Sequence, residues 1–248
     1  MTAVATPDIE QNHILAALPT KERRILREHL DVVTLYTKEY LNEVDTPVRY
    51  LHFPVDSAIS LMDLKSGGGV VEVAAVGKEG CTGFTMVQGH SNALCRVIVE
   101  VGGLAFRLSG PVLMTTLPQL PFFRYALYRF GMTILRESII SVGCSQFHSV
   151  EQRIGRWLLA HQHRTGRSVF AFTHDFLAEQ LGAQRVTITD TLAALQEKQL
   201  IRYGYREVEL INVKATEQLS CECFPAVKEA IDHFLRDIKS YNSTLDGL

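Results

Sequence analysis

The stretch THDFLAEQLGAQRVTITDTLAALQEKQLI, residues 173–201, has the spacing of two helices joined by a tight turn. Ala178 offers the small side chain needed where two helices approach closely, and Gly182 can adopt the positive φ of the turn. Ile188, six residues beyond the glycine, can pack the second helix against the first. This Ala-x3-Gly-x5-Ile spacing predicts a helix-turn-helix. The predicted buried positions are Phe176, Leu177, Leu181, Ile188, Leu192 and Leu195.

The exposed start of the second helix is predicted to carry the groups that contact DNA. An arginine such as Arg185 can donate two hydrogen bonds to guanine O6 and N7, and Gln or Thr side chains can reach bases or phosphates. Val186 can contact a thymine methyl group, and Asp190 can accept from cytosine N4 or orient Arg185. The candidate DNA-binding residues of the two helices are Thr173, His174, Gln184, Arg185, Val186, Thr187, Thr189 and Asp190.

A predicted β-hairpin follows the second helix. The sequence LIRYGYREVELINV, residues 200–213, alternates apolar and polar positions and is predicted to turn at Gly204. Arg202 and Arg206 then lie near the tip of a wing, where basic side chains contact backbone phosphate. Residues 151–214 hold nine Lys and Arg against seven Asp and Glu, although the whole chain has a net charge of −2. The wing and this local positive charge favour DNA binding over the alternative, a helical hairpin within some other core.

The composition indicates a globular protein. The 248 residues are 46% apolar, enough for one large domain or two modest ones. No run approaches the roughly 18 apolar residues of a membrane span, and the N-terminus carries acids where a signal peptide has basic residues. We therefore expect a cytoplasmic protein with no membrane partner, whose five cysteines stay reduced.

The part of the chain before the helix-turn-helix is predicted to form a barrel and a long helix. Residues 8–30 are predicted to be helical, with Thr20 as a cap. Short alternating runs between residues 33 and 116 predict an antiparallel barrel or sandwich. After Pro118 and Pro121 comes a long helix with two apolar stripes, one running from Phe123 to Ile134 and the other from Tyr128 to Val142. One stripe is expected to pack on the barrel and the other on a partner helix, the alternative being complete burial in one large domain. The candidate dimer residues are Leu127, Phe130, Ile134, Leu135, Ile139 and Val142.

This order of elements resembles the Crp/Fnr superfamily of bacterial transcription regulators over nearly the whole chain. The 173–201 motif carries the resemblance specifically, and HFPVDSAISLM with VVEVAAVGKEGCTGF carries it more loosely. The resemblance implies an α+β fold with a cyclic-nucleotide-binding-like antiparallel β-barrel, a dimerisation helix and a C-terminal winged helix-turn-helix. It also implies a homodimer on a pseudo-palindromic operator that contacts RNA polymerase. The expected units are a barrel with an N-terminal helix (1–116), the dimerisation helix (117–147), the DNA-binding domain (148–223) and a helical tail (224–248).

Several positions depart from the family pattern. Phe84 follows Gly83 where cyclic-nucleotide-binding members have Glu, and Ala93-Leu94 stands where they have Arg-Ser. Arg96 falls on the opposite strand face, so an ordinary cyclic-nucleotide pocket is not expected and the effector is unknown. Val186 and Asp190 stand where many members have Glu and Arg, so the operator should differ from their half-sites.

No cofactor is expected from the sequence. The chain has no cysteine before Cys81, which excludes an N-terminal iron–sulfur cluster of the Fnr type, while a haem on His52 or His90 stays open. Cys221 and Cys223 form a C-x-C pair that cannot complete a four-ligand zinc site unaided. Three interpretations of this pair remain: a zinc site completed by ligands from a partner copy, an oxidant-sensitive thiol, or two small buried side chains. No metal site is assigned.

The remaining predictions concern the tail and the competing class of protein. Val227, Ile231, Phe234 and Ile238 predict a terminal helix that packs back on the molecule, with a partner-binding role as the alternative. The main rival function is a cupin-like metal enzyme, which needs His-x-His on barrel strands. The His-x-His of this chain, residues 161–163, lies on a predicted helix. We therefore expect that the protein is not an enzyme. A ligand-binding module without DNA activity is the third possibility.

Overall fold

The computed structural model describes residues 7–204 and 206–245 of the chain. The N-terminal segment, predicted to be helical over residues 8–30, consists of three short helical pieces. A 3₁₀ turn at Ile9–Gln11 is followed by α1 (His13–Ala16) and α2 (Thr20–Arg27). Asn12 interrupts the helix because its side chain caps α1 and donates to the carbonyls of Pro54 and Gly80 in the barrel. Thr20 is the first residue of α2 rather than its cap, which is Pro19.

Seven strands form the predicted antiparallel barrel as two sheets. One sheet has the order β1-β7-β3 and the other β2-β6-β4-β5, with every pair antiparallel. A single apolar core takes side chains from both sheets, among them Phe53 and Val99. The strands are β1 (Leu30–Leu35), β2 (Tyr40–Asn42), β3 (Tyr50–Pro54), β4 (Ala58–Leu64), β5 (Val70–Val76), β6 (Arg96–Val101) and β7 (Gly103–Ser109).

A short helix, α3 (Gly110–Thr116), leads to the long helix α4 (Pro121–Phe147). The two apolar stripes of α4 have different surroundings. The stripe from Phe123 to Ile134 is buried in the core of its own chain, whereas the other stripe is exposed. Leu127, Phe130 and Ile134 pack inside the protomer and are therefore removed from the candidate dimer face. Leu135, Ile139 and Val142 are 51%, 59% and 65% exposed and stay on it.

The C-terminal part contains the predicted helix-turn-helix and wing, followed by two helices. The wing is a three-stranded sheet of order β8-β10-β9, because a strand before the helix-turn-helix, which was not predicted from the sequence, pairs with the hairpin. The elements are α5 (Val150–Thr165), β8 (Val169–Ala171), α6 (His174–Leu181), α7 (Arg185–Glu197), β9 (Ile201–Gly204), β10 (Glu207–Leu210), α8 (Val213–Leu219) and α9 (Cys223–Leu245). Among the described residues, no helix is long and apolar enough to cross a bilayer.

The last helix, α9, runs back along α4. The predicted apolar face of α9, from Val227 to Ile238, is buried. Phe234 meets Phe130 with ring centroids 5.5 Å apart, and Tyr241 stacks on Tyr125 at 4.0 Å. The tail therefore packs on the long helix, on a side that leaves the exposed stripe of α4 uncovered.

Arg164 on α5 joins the C-terminal domain to the barrel and to α4. Its buried guanidinium donates from Nε to Glu79 at 3.0 Å, and from Nη2 to both carboxylate oxygens of Glu137 at 2.7 and 2.9 Å. Burial alone would lower the pKa of Arg164, but the charges of Glu137 and Glu79 outweigh it and raise the pKa above its usual value. Gly77 is required beside this ion pair, since a Cβ there would lie 2.5 Å from the Arg164 Cβ. The GKEG turn, residues 77–80, thus supplies Gly77 and Glu79 to a buried contact between the barrel and α5.

Candidate nucleic-acid interface

The helix-turn-helix is built as its spacing predicts. Thr173 caps α6 by accepting a hydrogen bond from the backbone N–H of Phe176 at 3.2 Å. Gly182 ends α6 with φ 56°, the left-handed conformation that glycine adopts at little cost. The predicted inward positions of both helices, including Ile188 and Leu192, are buried in the C-terminal core. Burial of these positions fixes which side of α7 faces outward.

The N-terminal half of α7 presents an exposed polar face. Gln184, Arg185, Val186, Thr187 and Asp190 are all exposed, and Gln184 precedes the helix as its N-cap residue. The first backbone N–H groups of a helix lack partners within it and favour anions such as phosphate. The structure thus places donors, a carboxylate and one apolar side chain on one continuous surface at the start of the helix.

His174 and Thr189 differ from the other predicted contacts because they bond to each other. Thr189 Oγ1 donates to the carbonyl of Arg185 at 3.1 Å, which leaves the oxygen to accept from His174 Nδ1 at 2.9 Å. Both residues are half-buried. This pair joins the start of α6 to the N-terminal half of α7 and thereby holds the exposed face in place.

Arg185 is held by a weak ion pair that a ligand can replace. Its Nε lies 3.1 Å from Asp175 Oδ1, and the two side chains are 66% and 67% exposed. Ion pairs this exposed contribute about 0–1 kcal/mol, so little is lost when the guanidinium turns to a stronger acceptor. Asp175 therefore contacts Arg185 without fixing its position.

The wing lies beside the start of both helices. A cleft of about 370 Å³ separates them and is lined by Thr173, His174, Arg185, Tyr203 and Arg206, among others. The wing turn follows Gly204 rather than centring on it, and Arg206 has a φ of 60° there. Arg202 is exposed and pairs with Glu209 at 2.7 Å. The structure therefore brings Arg206 of the wing to the same cleft as Arg185, whereas Arg202 is not among the residues that line it.

The barrel positions that depart from the family pattern are packed or used elsewhere. Phe84 is buried against Phe130 of α4, with an edge-to-face geometry at 5.5 Å. Ala93 is buried and Leu94 is exposed. Arg96 pairs with Glu43 at 3.0 Å, at the surface. Phe84 thus contributes to the core of the barrel and supplies no carboxylate for a ribose.

A buried polar cluster joins the barrel to α5 and was not foreseen from the sequence. Ser60, Glu72 and Glu100 come from three neighbouring strands, and Trp157 and His161 from α5. Glu100 accepts from Trp157 Nε1 at 2.8 Å and from His161 Nε2 at 2.5 Å. The Ser60 hydroxyl lies 2.7 Å from Glu72 and also contacts Glu100, so a protonated Glu72 can donate to Ser60, which donates to Glu100.

The charges of this cluster are set by burial and by its neighbours. Burial, then the charge of Glu100, raises the pKa of Glu72 from 4.5 to about 8. Burial opposes ionisation of Glu100 and His161, but their mutual attraction outweighs it, lowering the pKa of Glu100 and raising that of His161. The arrangement is therefore a buried ion pair beside a neutral carboxylic acid at about pH 7.

We expect the stability of the chain to depend on pH through Glu72. The folded state holds the Glu72 proton more tightly than the unfolded state, so the stabilisation is complete below about pH 4.5 and is lost as the pH rises through about 8. Urea unfolding of the wild-type chain and of Glu72→Gln should show the wild type losing stability relative to the variant across this range. Parallel pH profiles for the two proteins would show that Glu72 titrates normally.

The cysteine pair is completed by residues that were not connected with it from the sequence. Cys144 and His148, at the end of α4, lie against Cys221, just before α9, and Cys223, its first residue. Two further side chains with possible ligand atoms therefore lie beside the pair within the same chain. The spacing Cys144-x3-His148 puts both side chains on one helical face and was the signal available in the sequence. His161 and His163, by contrast, lie on α5 outside the barrel, so they do not form the His-x-His of a cupin-like metal site.

Comparison with known proteins agrees with this geometry. Residues 152–219 match the model of the Crp-like helix-turn-helix domain. The transcriptional regulator SdrP of Thermus thermophilus is 36% identical over 62 residues, which are 25% of this chain and 30% of that relative's length. A Crp/Fnr-family protein from Eubacterium rectale superposes with a TM-score of 0.65 at 13% identity, covering 85% of this chain and 98% of the other. FixK2 from Bradyrhizobium japonicum superposes with a TM-score of 0.64 at 15% identity, covering 77% and 98%.

Residues 152–219 are therefore a Crp-like helix-turn-helix domain, and the chain as a whole has the fold of the Crp/Fnr regulators.

Proposed function

We propose that this protein is a homodimeric, sequence-specific DNA-binding transcription regulator. The observation that carries the proposal is the exposed polar face of α7, held outward by the buried Ile188, Leu192 and Leu195 of a Crp-like domain. In this class of domain the second helix enters the major groove and reads base edges with its N-terminal residues. Gln184, Arg185, Val186, Thr187 and Asp190 are the proposed base-reading residues.

Phosphate contacts are proposed for the residues around this face. Arg202 and Arg206 on the wing are suited to the backbone flanking the groove, because a guanidinium binds phosphate through paired donors. Thr173 and His174, at the start of α6, are proposed to border the same strand. Contacts of this kind position the protein but do not select a sequence.

A two-fold symmetric dimer is proposed to present two such helices. Tyr128, Met132, Leu135, Ile139 and Val142 alternate at intervals of four and three residues, all exposed on α4. This is the a/d spacing of a coiled-coil seam, and the opposite side of the helix is already buried in the protomer. Two copies joined along the seam would bind half-sites about one helical turn apart. RNA polymerase is the proposed further partner, and the barrel is proposed to sense an effector other than an ordinary cyclic nucleotide.

The DNA assignment is tested by replacing Arg185. On a duplex obtained by selection, Arg185→Ala should weaken binding by about 1–3 kcal/mol, roughly 5- to 150-fold, and relax the preference at one base position. Arg202→Ala should instead weaken binding to selected and random duplexes alike and reduce the salt slope by about 1. Fluorescence anisotropy titrations at several salt concentrations measure both effects.

Lys198→Ala is the matched control for these variants. Lys198 is a half-exposed cation at the far end of α7, paired with Glu151, and should leave DNA binding unchanged. If Arg185→Ala and Lys198→Ala both bind the selected duplex as the wild type does, Arg185 does not read a base.

A further inference from the structure

Four side chains with soft-metal ligand atoms meet at the joint between the long helix and the C-terminal helix. They are Cys144 and His148 from the end of α4, Cys221 from the segment between α8 and α9, and Cys223 from the start of α9. One ligand atom from each lies within 4.8 Å of all the others. Three thiols and one imidazole are a ligand set of structural zinc sites.

Two distances within this cluster are close to the edges of a zinc tetrahedron. Cys144 Sγ lies 3.6 Å from Cys221 Sγ, and Cys223 Sγ lies 3.6 Å from His148 Nδ1. With Zn–S near about 2.3 Å and Zn–N near about 2.05 Å, tetrahedral geometry places two sulfurs about 3.8 Å apart and a sulfur and nitrogen about 3.6 Å apart. A disulfide would bring two sulfurs to about 2.05 Å, and these cysteines are free.

The histidine is oriented as a ligand. His148 Nε2 lies 3.1 Å from Glu222 Oε1, so that nitrogen carries the proton and donates to the carboxylate. Nδ1, which faces Cys223, is then left with its lone pair. Carboxylates commonly orient metal-bound histidines in this way, and here the carboxylate stands between two of the cysteines in the sequence.

Burial and charge around the cluster favour an ion over a small apolar core. Cys144, Cys221 and Cys223 are 2%, 3% and 7% exposed, yet Ile140 is the one partly buried apolar residue packed against them in the described chain. Arg156 lines the cleft beside Cys144. Three thiolates around a divalent ion carry one net negative charge, which a guanidinium can balance.

We propose that Cys144, His148, Cys221 and Cys223 bind a single zinc ion in a closed four-ligand site. The ion ties the end of α4, and with it the start of α5, to the segment that joins α8 to α9. It would thereby fix the direction in which the DNA-binding domain leaves the long helix. That consequence rests on the proposed function, whereas the metal site itself does not.

The test measures metal directly and does not depend on DNA. The full chain, purified with a thiol reductant, is dialysed and its zinc is determined by mass spectrometry, and cobalt is then titrated into the metal-free protein. We expect about one zinc per wild-type chain, and a cobalt spectrum with thiolate charge-transfer bands and the strong d–d bands of tetrahedral coordination. Cys144→Ser and Cys221→Ser should lose the zinc, whereas Cys95→Ser, outside the cluster, should keep it.

Glu222→Gln separates metal binding from folding. Glu222 is exposed, and its carboxylate meets the cluster through the hydrogen bond with His148, so its replacement should leave the fold intact. Competition with a chromophoric chelator should show that the variant binds zinc about tenfold more weakly than the wild type. This is the smallest loss expected when a carboxylate that orients a metal-bound histidine is replaced. A wild-type chain that holds no zinc or cobalt beyond the level of Cys144→Ser would overturn the proposal. Equal zinc affinity in Glu222→Gln and the wild type would show that Glu222 does not orient His148 for the metal.

Discussion

Replacing Arg164 with methionine is expected to lower the free energy of unfolding by about 3–5 kcal/mol, several times the cost of breaking an exposed ion pair. Methionine fills similar space but leaves the carboxylates of Glu79 and Glu137 buried without their guanidinium. Each must then be protonated or stay charged in a poorly solvated site. Urea unfolding of the full chain measures the loss.

Two variants check the cause of that loss. Arg167→Met removes an ion pair with Asp56 that is about two-fifths exposed, and should cost less than about 1 kcal/mol. Replacing Arg164, Glu79 and Glu137 together with Met, Gln and Gln should recover much of the lost stability, because no unpaired charge remains buried. An Arg164→Met protein no less stable than Arg167→Met would show that the ion pairs of Arg164 with Glu79 and Glu137 do not hold α5 to the barrel and α4.

Introducing a charge into the exposed stripe of α4 is expected to separate the dimer. Ile139→Glu would place two carboxylates near each other across a two-fold seam and remove an apolar side chain from each copy. Burying an isoleucine contributes about 1.5–3 kcal/mol, so losing one from each copy costs at least about 3 kcal/mol, and the dissociation constant should rise at least about 100-fold. Sedimentation over a range of protein concentrations measures the change.

Leu94→Glu is the matched control for the seam. Leu94 is 64% exposed, similar to Ile139, but lies on the barrel. Its replacement should leave the oligomeric state unchanged. If Ile139→Glu and the wild type sediment identically at every concentration, the exposed stripe is not the dimer interface.

The helix-turn-helix could be predicted closely because its signals are local. Ala178, Gly182 and Ile188 stand within eleven residues, and each is required by geometry between two adjacent helices. The same holds for the apolar face of α9, whose period is that of a helix. The strand β8 was missed since three residues carry almost no pattern of their own, and it exists through pairing with β10.

The long helix shows where a pattern stops being sufficient. Both of its stripes are apolar at helical spacing, so the sequence predicts two contact faces without saying which is internal. The Phe130 stripe is internal because the barrel and α9 pack against it. The remaining dimer positions follow only once that burial is known.

The cysteine–histidine cluster and the Glu100–His161 cluster could not be derived from the sequence because their members are distant in the chain. Cys144 and Cys221 are 77 positions apart, and Glu100 and His161 are 61 apart. No periodicity links such residues, and a glutamate on a strand is ordinarily interpreted as exposed. Only the packing of α5 on the barrel, and of α9 on α4, brings them together.

Binding of specific DNA by a symmetric dimer is tested most directly by selection of genomic fragments. The reduced full chain would be incubated with genomic fragments without added ligand, and the retained DNA sequenced, with Arg185→Ala run in parallel. We predict a two-fold symmetric site with half-sites about one helical turn apart, degraded in the variant. Retained DNA without any shared sequence, or the same site recovered equally by Arg185→Ala, would contradict the proposed function.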